Sequence, residues 1–174
     1  MDADFDAREL RNVFGLFATG VAVITAVDPR GAPVGLTVNS LTSVSLDPPL
    51  LLWCLSAKSV GAGAFAHGAP FLVHILAHDQ TALALHFARS GREKFEVDPS
   101  WLRDPPRLEG ALARMACKVD ALHVGGDHVI IVGRIAAVER SGGEALVFHA
   151  GRFGDFQART QAPDFLPGSS DGWL

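Results

Sequence analysis

Small polar side chains crowd the segment from residue 34 to residue 59, at spacings that suit ligand binding. Its hydroxyl and amide side chains are Thr37, Asn39, Ser40, Thr42, Ser43, Ser45, Ser56 and Ser59, and Lys58 lies between the last two. Two strands with such groups at their ends can line a groove for a flat, phosphorylated ligand, and the N–H groups of their turns add anion-binding nests. The alternative is a hairpin whose Ser and Thr side chains only satisfy its own turns.

A second set of residues that could do chemistry is the turn Gly126-Asp127-His128. Its glycine lets the backbone turn tightly, so that an acid and an imidazole stand at the start of a strand. His128 can donate a hydrogen bond to a ligand carbonyl or pyrophosphate, or relay a proton near neutral pH. The alternative is a plain hairpin turn, in which Asp127 caps the backbone and His128 packs at a strand end.

The remaining histidines and cysteines form no recognisable reactive set. His74, His78 and His86 fall on a predicted strand end and the next helix without a carboxylate on the same face, so we predict no metal site. The sequence has no GxSxG elbow, no P-loop and no GxGxxG after its first strand, which leaves no candidate nucleophile and no Rossmann turn. Cys54 and Cys117 lack CxxC spacing and are expected to be buried free thiols.

Composition excludes several functional classes. The chain has 174 residues, of which 48% are hydrophobic, enough for one domain with a substantial core. Its net charge of −4 argues against a general nucleic-acid binder, because neutralising phosphates needs clustered Lys and Arg. No segment approaches the roughly 20 apolar residues of a membrane span, and the acidic N-terminus does not have the order of a signal peptide. We expect a cytoplasmic protein without nucleic-acid or membrane partners.

The elements that must position these residues are predicted to be mainly β-strands. Strands are predicted at residues 20–28, 31–46, 50–55, 71–77, 115–140 (two strands joined at the glycine turn) and 145–153. Helices are predicted at residues 6–18, with Asp6 as N-cap, at 59–68 and at 79–90, and a loop at 91–110 is expected to cover part of the structure. This pattern predicts six or seven antiparallel strands in a small barrel with peripheral helices. We expect one domain at residues 1–156 and an extended or partly disordered tail at 157–174.

Taken together, these motifs resemble the flavin reductase-like family. The resemblance rests on FATGVAVITA (17–26), PVGLTVNSLTSVSLDPPLLLWCL (33–55), FLVHILAHDQTALALHFA (71–88), KF (94–95), GGDHVIIVG (125–133) and HAGRF (149–153). It covers nearly the whole chain and implies an FMN-binding split barrel. It also implies an NAD(P)H:flavin oxidoreductase, often the reductase component of a two-component monooxygenase.

The resemblance implies two sets of site residues. The flavin would contact the strand from Gly35 to Ser40 and the segment that holds its phosphate. The implied flavin-binding residues are Gly35, Leu36, Thr37, Val38, Asn39, Ser40, Leu55, Ser56, Ala57, Ser59, Val60, Phe87, Lys94 and Phe95. The implied nicotinamide-binding residues are Gly126, Asp127, His128 and Arg152, with His128 as the catalytic residue. Family members commonly have Tyr where this chain has Phe153, so no hydroxyl contact to the nicotinamide is expected there.

The implied reaction is hydride transfer from NADH or NADPH to FMN or FAD, and the implied assembly is a homodimer that gives reduced flavin to a separate oxygenase. Two alternatives stay open at this point. One is a flavoprotein that retains FMN and reduces another acceptor, such as a ferric chelate or a corrinoid; the other is a non-enzymatic flavin carrier. The sequence does not choose FMN or FAD; the lack of an obvious basic cluster for a 2′-phosphate slightly favours NADH over NADPH. Neither the partner oxygenase nor the substrate of that oxygenase follows from the sequence.

Overall fold

The structure, a computed structural model, describes residues 5–157 except residues 90 and 92. The helices are α1 (Ala7–Gly15) and α2 (Thr81–Ala88), and short 3₁₀ turns lie at Ala62–Phe65, Glu93–Phe95 and Pro99–Trp101. The strands are β1 (Thr19–Gly20), β2 (Ala22–Val27), β3 (Pro33–Val38), β4 (Thr42–Leu46), β5 (Pro49–Ser56), β6 (Pro70–Ile75), β7 (Ala113–Gly125), β8 (His128–Arg140), β9 (Leu146–His149) and β10 (Arg152–Asp155).

Seven of these strands form one antiparallel sheet in the order β3-β2-β6-β7-β8-β5-β4, and β1, β9 and β10 form a small second sheet. One apolar core receives side chains from β2, β3, β5, β6, β7 and β8, so the large sheet wraps around a single interior. At its centre the rings of Trp53 and Phe65 meet edge to face, with centroids 4.9 Å apart. The prediction of a mainly β, antiparallel barrel with peripheral helices is therefore confirmed.

Three local predictions were wrong. Residues 31–46 do not form one strand, because the chain leaves β3 after Val38 and re-enters the sheet as β4, which pairs with β5. Residues 145–153 form two strands, β9 and β10, because Ala150 and Gly151 adopt positive φ angles of 47° and 77° and reverse the chain. Of the helix predicted at 59–68, only the 3₁₀ turn at Ala62–Phe65 is present.

A wholly apolar run such as residues 50–55 is typical of a strand buried on both faces, but only one face of β5 is fully buried. Along β5 the burial alternates: Leu51, Trp53 and Leu55 lie in the core, whereas Leu52 and Cys54 are half-buried on the opposite face. Cys117 is buried, and burial raises the pKa of its thiol to about 12.

The segment between α2 and β7 is hydrogen-bonded to residues of β2, β6 and β7, as its predicted covering role implies. Thr25 donates its hydroxyl to the carbonyl of Pro106 (2.5 Å), and Arg114 donates to the carbonyl of Leu108 (2.7 Å). Buried His74 links this segment to β2, because its Nε2 accepts from the N–H of Leu108 (3.2 Å) while its Nδ1 donates to the carbonyl of Val23 (3.1 Å). These contacts fix the segment that brings Lys94 and Phe95 to the site described below.

Helix α1 begins as predicted, with the carboxylate of Asp6 accepting from the N–H groups of Arg8 and Glu9 at 2.8 and 2.7 Å. The helix buries none of its residues, and the side chains of Phe14 and Phe17 are 68% and 78% exposed. Neither described helix is long and apolar enough to cross a membrane. The tail predicted from residue 157 lies outside the described residues, apart from Gln157 itself.

Candidate functional site

A cavity of about 370 Å³ opens between β3, the segment after β5 and the end of α2. Strand β3 is at one end of the strand order of the large sheet, and the segment after β5, a strand near the other end, lies beside it at the cavity. The residues that line the cavity are Asp28, Ala32, Pro33, Val34, Gly35, Leu36, Thr37, Ser56, Lys58, Ser59, Val60, Gly61, Phe87, Ala88, Arg89, Gly91, Lys94 and Phe95. The cavity wall thus has three parts: strand β3, the polar turn after β5, and the aromatic side chains at and after the end of α2.

The aromatic part of the wall is packed directly against the backbone of β3. A Cβ on Gly35 would lie 2.5 Å from Cε1 of Phe87 and 2.9 Å from Cζ of Phe95, so only glycine fits there. The rings of Phe87 and Phe95 contact each other with centroids 5.3 Å apart, and the Thr37 hydroxyl donates to the carbonyl of Ala84 on α2 (2.6 Å). Backbone and aromatic surface therefore meet along β3, as recognition of a flat, apolar ring system requires.

Lys94 joins the two sides of this wall. Its ammonium group donates to the carbonyl of Gly35 and to the carbonyl of Phe87, both at 2.9 Å. Partial burial lowers the pKa of Lys94 below the usual value of a lysine. The carbonyl of Lys94 accepts a hydrogen bond from Nε2 of His86 (2.6 Å), which places the ring proton of His86 on that nitrogen.

The polar part of the wall is a tight turn after β5. The N–H of Ser59 donates to the carbonyl of Ser56 (2.9 Å), and Gly61 lies so close to Val34 that a Cβ would approach its Cγ1 to 2.5 Å. Lys58 is exposed at the rim of the cavity. Hydroxyls, turn N–H groups and a cation in one short loop suit an anionic group such as a phosphate.

The cavity is lined by more positive than negative charge. Among the described lining residues, Lys58, Arg89 and Lys94 are the cations and Asp28 is the carboxylate. Asp28 is already satisfied within its own turn, because it accepts from the N–H groups of Ala32 and Arg30 at 2.9 Å each, which keeps the pKa of that carboxyl below its ordinary value. The residues present therefore fit a ligand that combines a flat ring with phosphate.

The turn Gly126-Asp127-His128 joins β7 to β8 next to the polar loop, but it does not line the cavity. His128 pairs with Ser56 across β8 and β5, and the N–H of Ala57 donates to the carbonyl of Asp127 (3.0 Å). Nδ1 of His128 lies 2.8 Å from the carboxylate of Asp127, which lowers the pKa of that carboxyl. Since a carboxylate only accepts, Nδ1 carries the proton and Nε2 is left available on a half-exposed ring.

The structure brings together most, but not all, of the residues expected to bind flavin. Those that line the cavity are Gly35, Leu36, Thr37, Ser56, Ser59, Val60, Phe87, Lys94 and Phe95. Those that do not are Val38, Asn39, Ser40, Leu55 and Ala57. Val38 and Leu55 are buried in the core, and the hydroxyl of Ser40 accepts from the N–H of Cys54 (2.9 Å). Arg152 begins β10 in the small sheet, opposite His149, and also lies outside the cavity lining.

Lys58, Gly61 and Arg89 line the cavity but were not among the predicted binding residues. Lys58 could have been found, since it stands between two serines in the polar turn. Arg89 carried no comparable signal, because its place at the cavity depends on where α2 ends against β3. Within the described part of the chain, no cluster of three or more His, Cys, Asp or Glu residues could hold a metal ion.

Comparison with known proteins gives a consistent result. The family described as "Flavin reductase like domain" matches residues 14–157. The chain is 44% identical over 154 residues to an FMN reductase (NADH), SmoA, of Agrobacterium fabrum, and the match covers 87% of each chain. Among solved structures it is similar to BorF, the flavin reductase component of a bacterial two-component tryptophan halogenase (TM-score 0.80, 39% identity, 88% of this chain and 100% of BorF). It is also similar to Streptomyces globisporus NADH:FAD oxidoreductase SgcE6 in complex with NAD and FAD fragments (TM-score 0.80, 37% identity, 88% and 94% covered).

Proposed function

Because the chain belongs to the flavin reductase-like domain family, we propose that it is an NAD(P)H-dependent flavin reductase that supplies reduced flavin to a partner monooxygenase. The observation that carries this proposal is the cavity along β3, where a backbone edge, an aromatic wall and a cationic polar turn meet. The flavin substrate would be FMN or FAD, and the reductant NADH or NADPH. The named activity of SmoA makes FMN and NADH the first pair to test.

In this proposal the residues of the cavity bind and orient the flavin. Gly35, Leu36 and Thr37 offer the edge of β3 to the ring, and Phe87 and Phe95 pack beside it. Ser56, Ser59 and Val60 form the turn that holds the phosphate, with Lys58 adding positive charge. Positioning of this kind can lower a reaction barrier by several kcal/mol when both reactants are held in a reactive geometry.

The nicotinamide would be bound at the turn Gly126-Asp127-His128, with Arg152 as a further contact. Asp127 holds His128 in one tautomer through Nδ1, so that Nε2 can contact the nicotinamide or its diphosphate. The hydrogen bond from the N–H of Ala57 to the carbonyl of Asp127 holds this turn against the polar turn after β5. The bound flavin supplies the hydride-accepting chemistry, and the protein supplies orientation and electrostatics.

We also propose that the protein is a homodimer. Two apolar surfaces of the single chain support this. The first is exposed and consists of Phe14 on α1 and Phe17 just after it. The second is the half-buried outer face of β5 and β8, where Leu52 pairs with Val132 and Cys54 pairs with Ile130. Contiguous apolar surface of this kind commonly marks a protein–protein interface. In the cell we place the dimer in the cytoplasm, without nucleic-acid or membrane partners.

The test is a steady-state assay of NADH oxidation, followed by nicotinamide absorbance, with and without added FMN or FAD. Oxidation that rises with added flavin and saturates is the expected result, and it ranks FMN against FAD. Flavin that stays bound through gel filtration and many turnovers would favour an enzyme that reduces another acceptor. Flavin binding without any oxidation of NADH or NADPH would contradict a reductase and leave a carrier.

A further inference from the structure

Lys94 makes contacts in the flavin cavity that a simple ligand-binding lysine does not need. An ammonium group has three N–H donors. Two of them are used inside the protein, on the carbonyls of Gly35 and Phe87, at 2.9 Å each. These carbonyls belong to different elements, because Gly35 lies in β3 and Phe87 lies in the last turn of α2.

The two carbonyls have structural reasons to need a donor. β3 is the last strand of its sheet, so its outer backbone groups have no neighbouring strand among the described residues. Phe87 is in the final turn of α2, where carbonyls lack intrahelical partners. One cation therefore satisfies a strand edge and a helix end, and a positive charge near a helix C-terminus is also electrostatically favourable.

The same two residues set the shape of the cavity. Gly35 and Phe87 are in contact across the wall, with no room for a Cβ between them. The ammonium bridge spans this contact on the backbone side, and the neighbouring Phe95 completes the aromatic surface. The spacing between the strand edge and the aromatic wall is therefore fixed by a charge rather than by apolar packing alone.

We propose that Lys94 is a positioning residue for flavin binding: its charged side chain holds the edge of β3 and the end of α2 at the spacing the ring requires. The inference rests on the proposed function, since it concerns the flavin cavity. Lys94 acts through the Gly35 and Phe87 carbonyls.

The proposed role depends on the positive charge of the Lys94 ammonium, and burial makes that charge sensitive to pH. Burial lowers the pKa of Lys94, so the ammonium loses its proton at a lower pH than an exposed lysine does. Among the described residues, Arg89 after α2, Lys58 in the polar turn and Asp28 before β3 line the same cavity, and His86 on α2 contacts the Lys94 carbonyl. Above the pKa of Lys94, its contacts become ordinary neutral hydrogen bonds, which are about half as strong as charge-assisted ones.

The experiment is a flavin-binding titration, by quenching of flavin fluorescence, on the wild type and on the variants Lys94→Met, Lys94→Arg and Lys118→Met. Lys118 is an exposed lysine on β7 outside the cavity lining and serves as the matched control. We expect K94M to raise the Kd for flavin at least tenfold while K118M leaves it within twofold. Thermal unfolding of the flavin-free proteins establishes that each variant is folded at the titration temperature.

The pH dependence of flavin affinity shows whether Lys94 acts through its positive charge or only by filling space. As the pH is raised from neutral toward roughly 9.5, approaching the ordinary lysine range, the wild type and K118M should lose more affinity than K94R, whose guanidinium stays protonated. Ionisation of the flavin is common to all four proteins and cancels in this comparison. A folded K94M with wild-type affinity, or parallel pH profiles for the wild type and K94R, would overturn the inference. If the wild type binds no flavin at any pH, the proposed function itself fails, a result that differs from either of these.

Discussion

Gly35 and Phe87 approach so closely that a methyl group cannot be inserted between them: an added Cβ would lie 2.5 Å from Cε1 and 2.6 Å from Cδ1 of the ring. Gly35→Ala must therefore displace the Phe87 ring, which is itself buried, or bend β3. Overpacking of this kind costs about 1–3 kcal/mol of unfolding free energy. We expect G35A to unfold at lower urea concentration and to bind flavin more weakly.

The control for G35A is Gly63→Ala, at an exposed glycine with open space around it. It should change neither the unfolding midpoint nor flavin binding appreciably. A G35A protein as stable as the wild type, with the same flavin Kd, would show that the Phe87 wall is not fixed as described.

His128→Ala should slow the reaction with the nicotinamide and leave flavin binding intact. The imidazole is half-exposed and lies outside the cavity lining, with Nε2 available to a second substrate. We expect kcat/KM for NADH to fall at least about tenfold, equivalent to ~1.4 kcal/mol of transition-state stabilisation. His123→Ala, on the exposed side of the same hairpin, is the matched control. Unchanged turnover by H128A with retained flavin binding would remove His128 from the reaction.

Buried His74 should make the protein sensitive to acid. Its pKa is lowered to about 4, mainly because burial disfavours the imidazolium. In the unfolded chain the group takes its ordinary value near 6.5, so the unfolded state binds the proton first as the pH falls. The contribution of His74 to stability is therefore fully present above pH 6.5 and is lost as the pH falls toward 4, by about 3 kcal/mol.

Urea unfolding of the wild type and His74→Asn between these pH values measures this contribution. The variant should show the shallower dependence on pH, because the histidine that titrates is absent. His67→Gln, an exchange at an exposed histidine, should follow the wild type. Parallel curves for the wild type and H74N would mean that His74 does not control acid stability.

The double variant Phe14→Ser, Phe17→Ser tests the proposed dimer. Both rings are largely exposed in the single chain, and helix α1 buries none of its residues. Removing the rings should shift the protein from dimer to monomer in sedimentation velocity, while far-UV circular dichroism stays unchanged. Val97→Ser, at another exposed apolar side chain, should leave the dimer intact. A double variant that sediments like the wild type would exclude Phe14 and Phe17 from the interface.

The sequence predicted the sheet well because its signals are local. The Asp6 cap and the glycine turn before Asp127 each act over a few residues, and both are present. The break between β3 and β4 was missed, because nothing in residues 39–41 shows that β4 will pair with β5 and not with β3.

The site was predicted less completely for a related reason. Polar residues in a short loop, such as Ser56 and Ser59, reach the cavity together because the loop is one unit. Asn39 and Ser40 carry equally suitable groups, yet they follow the end of β3 and do not line the cavity. The pairing of Lys94 with Gly35 joins residues far apart in the chain and depends on the placement of the segment after α2, which no local pattern encodes.

The contacts along β3 have a consequence for the behaviour of the chain at high concentration. An open sheet offers two unpaired strand edges, and such edges can recruit strands from other molecules into aggregates. Here α2 and the Lys94 ammonium cover one edge, and a β-bulge between Ser43 and Ser45 distorts the other. The Lys94 ammonium thus occupies a carbonyl of β3 that an added strand would otherwise pair with.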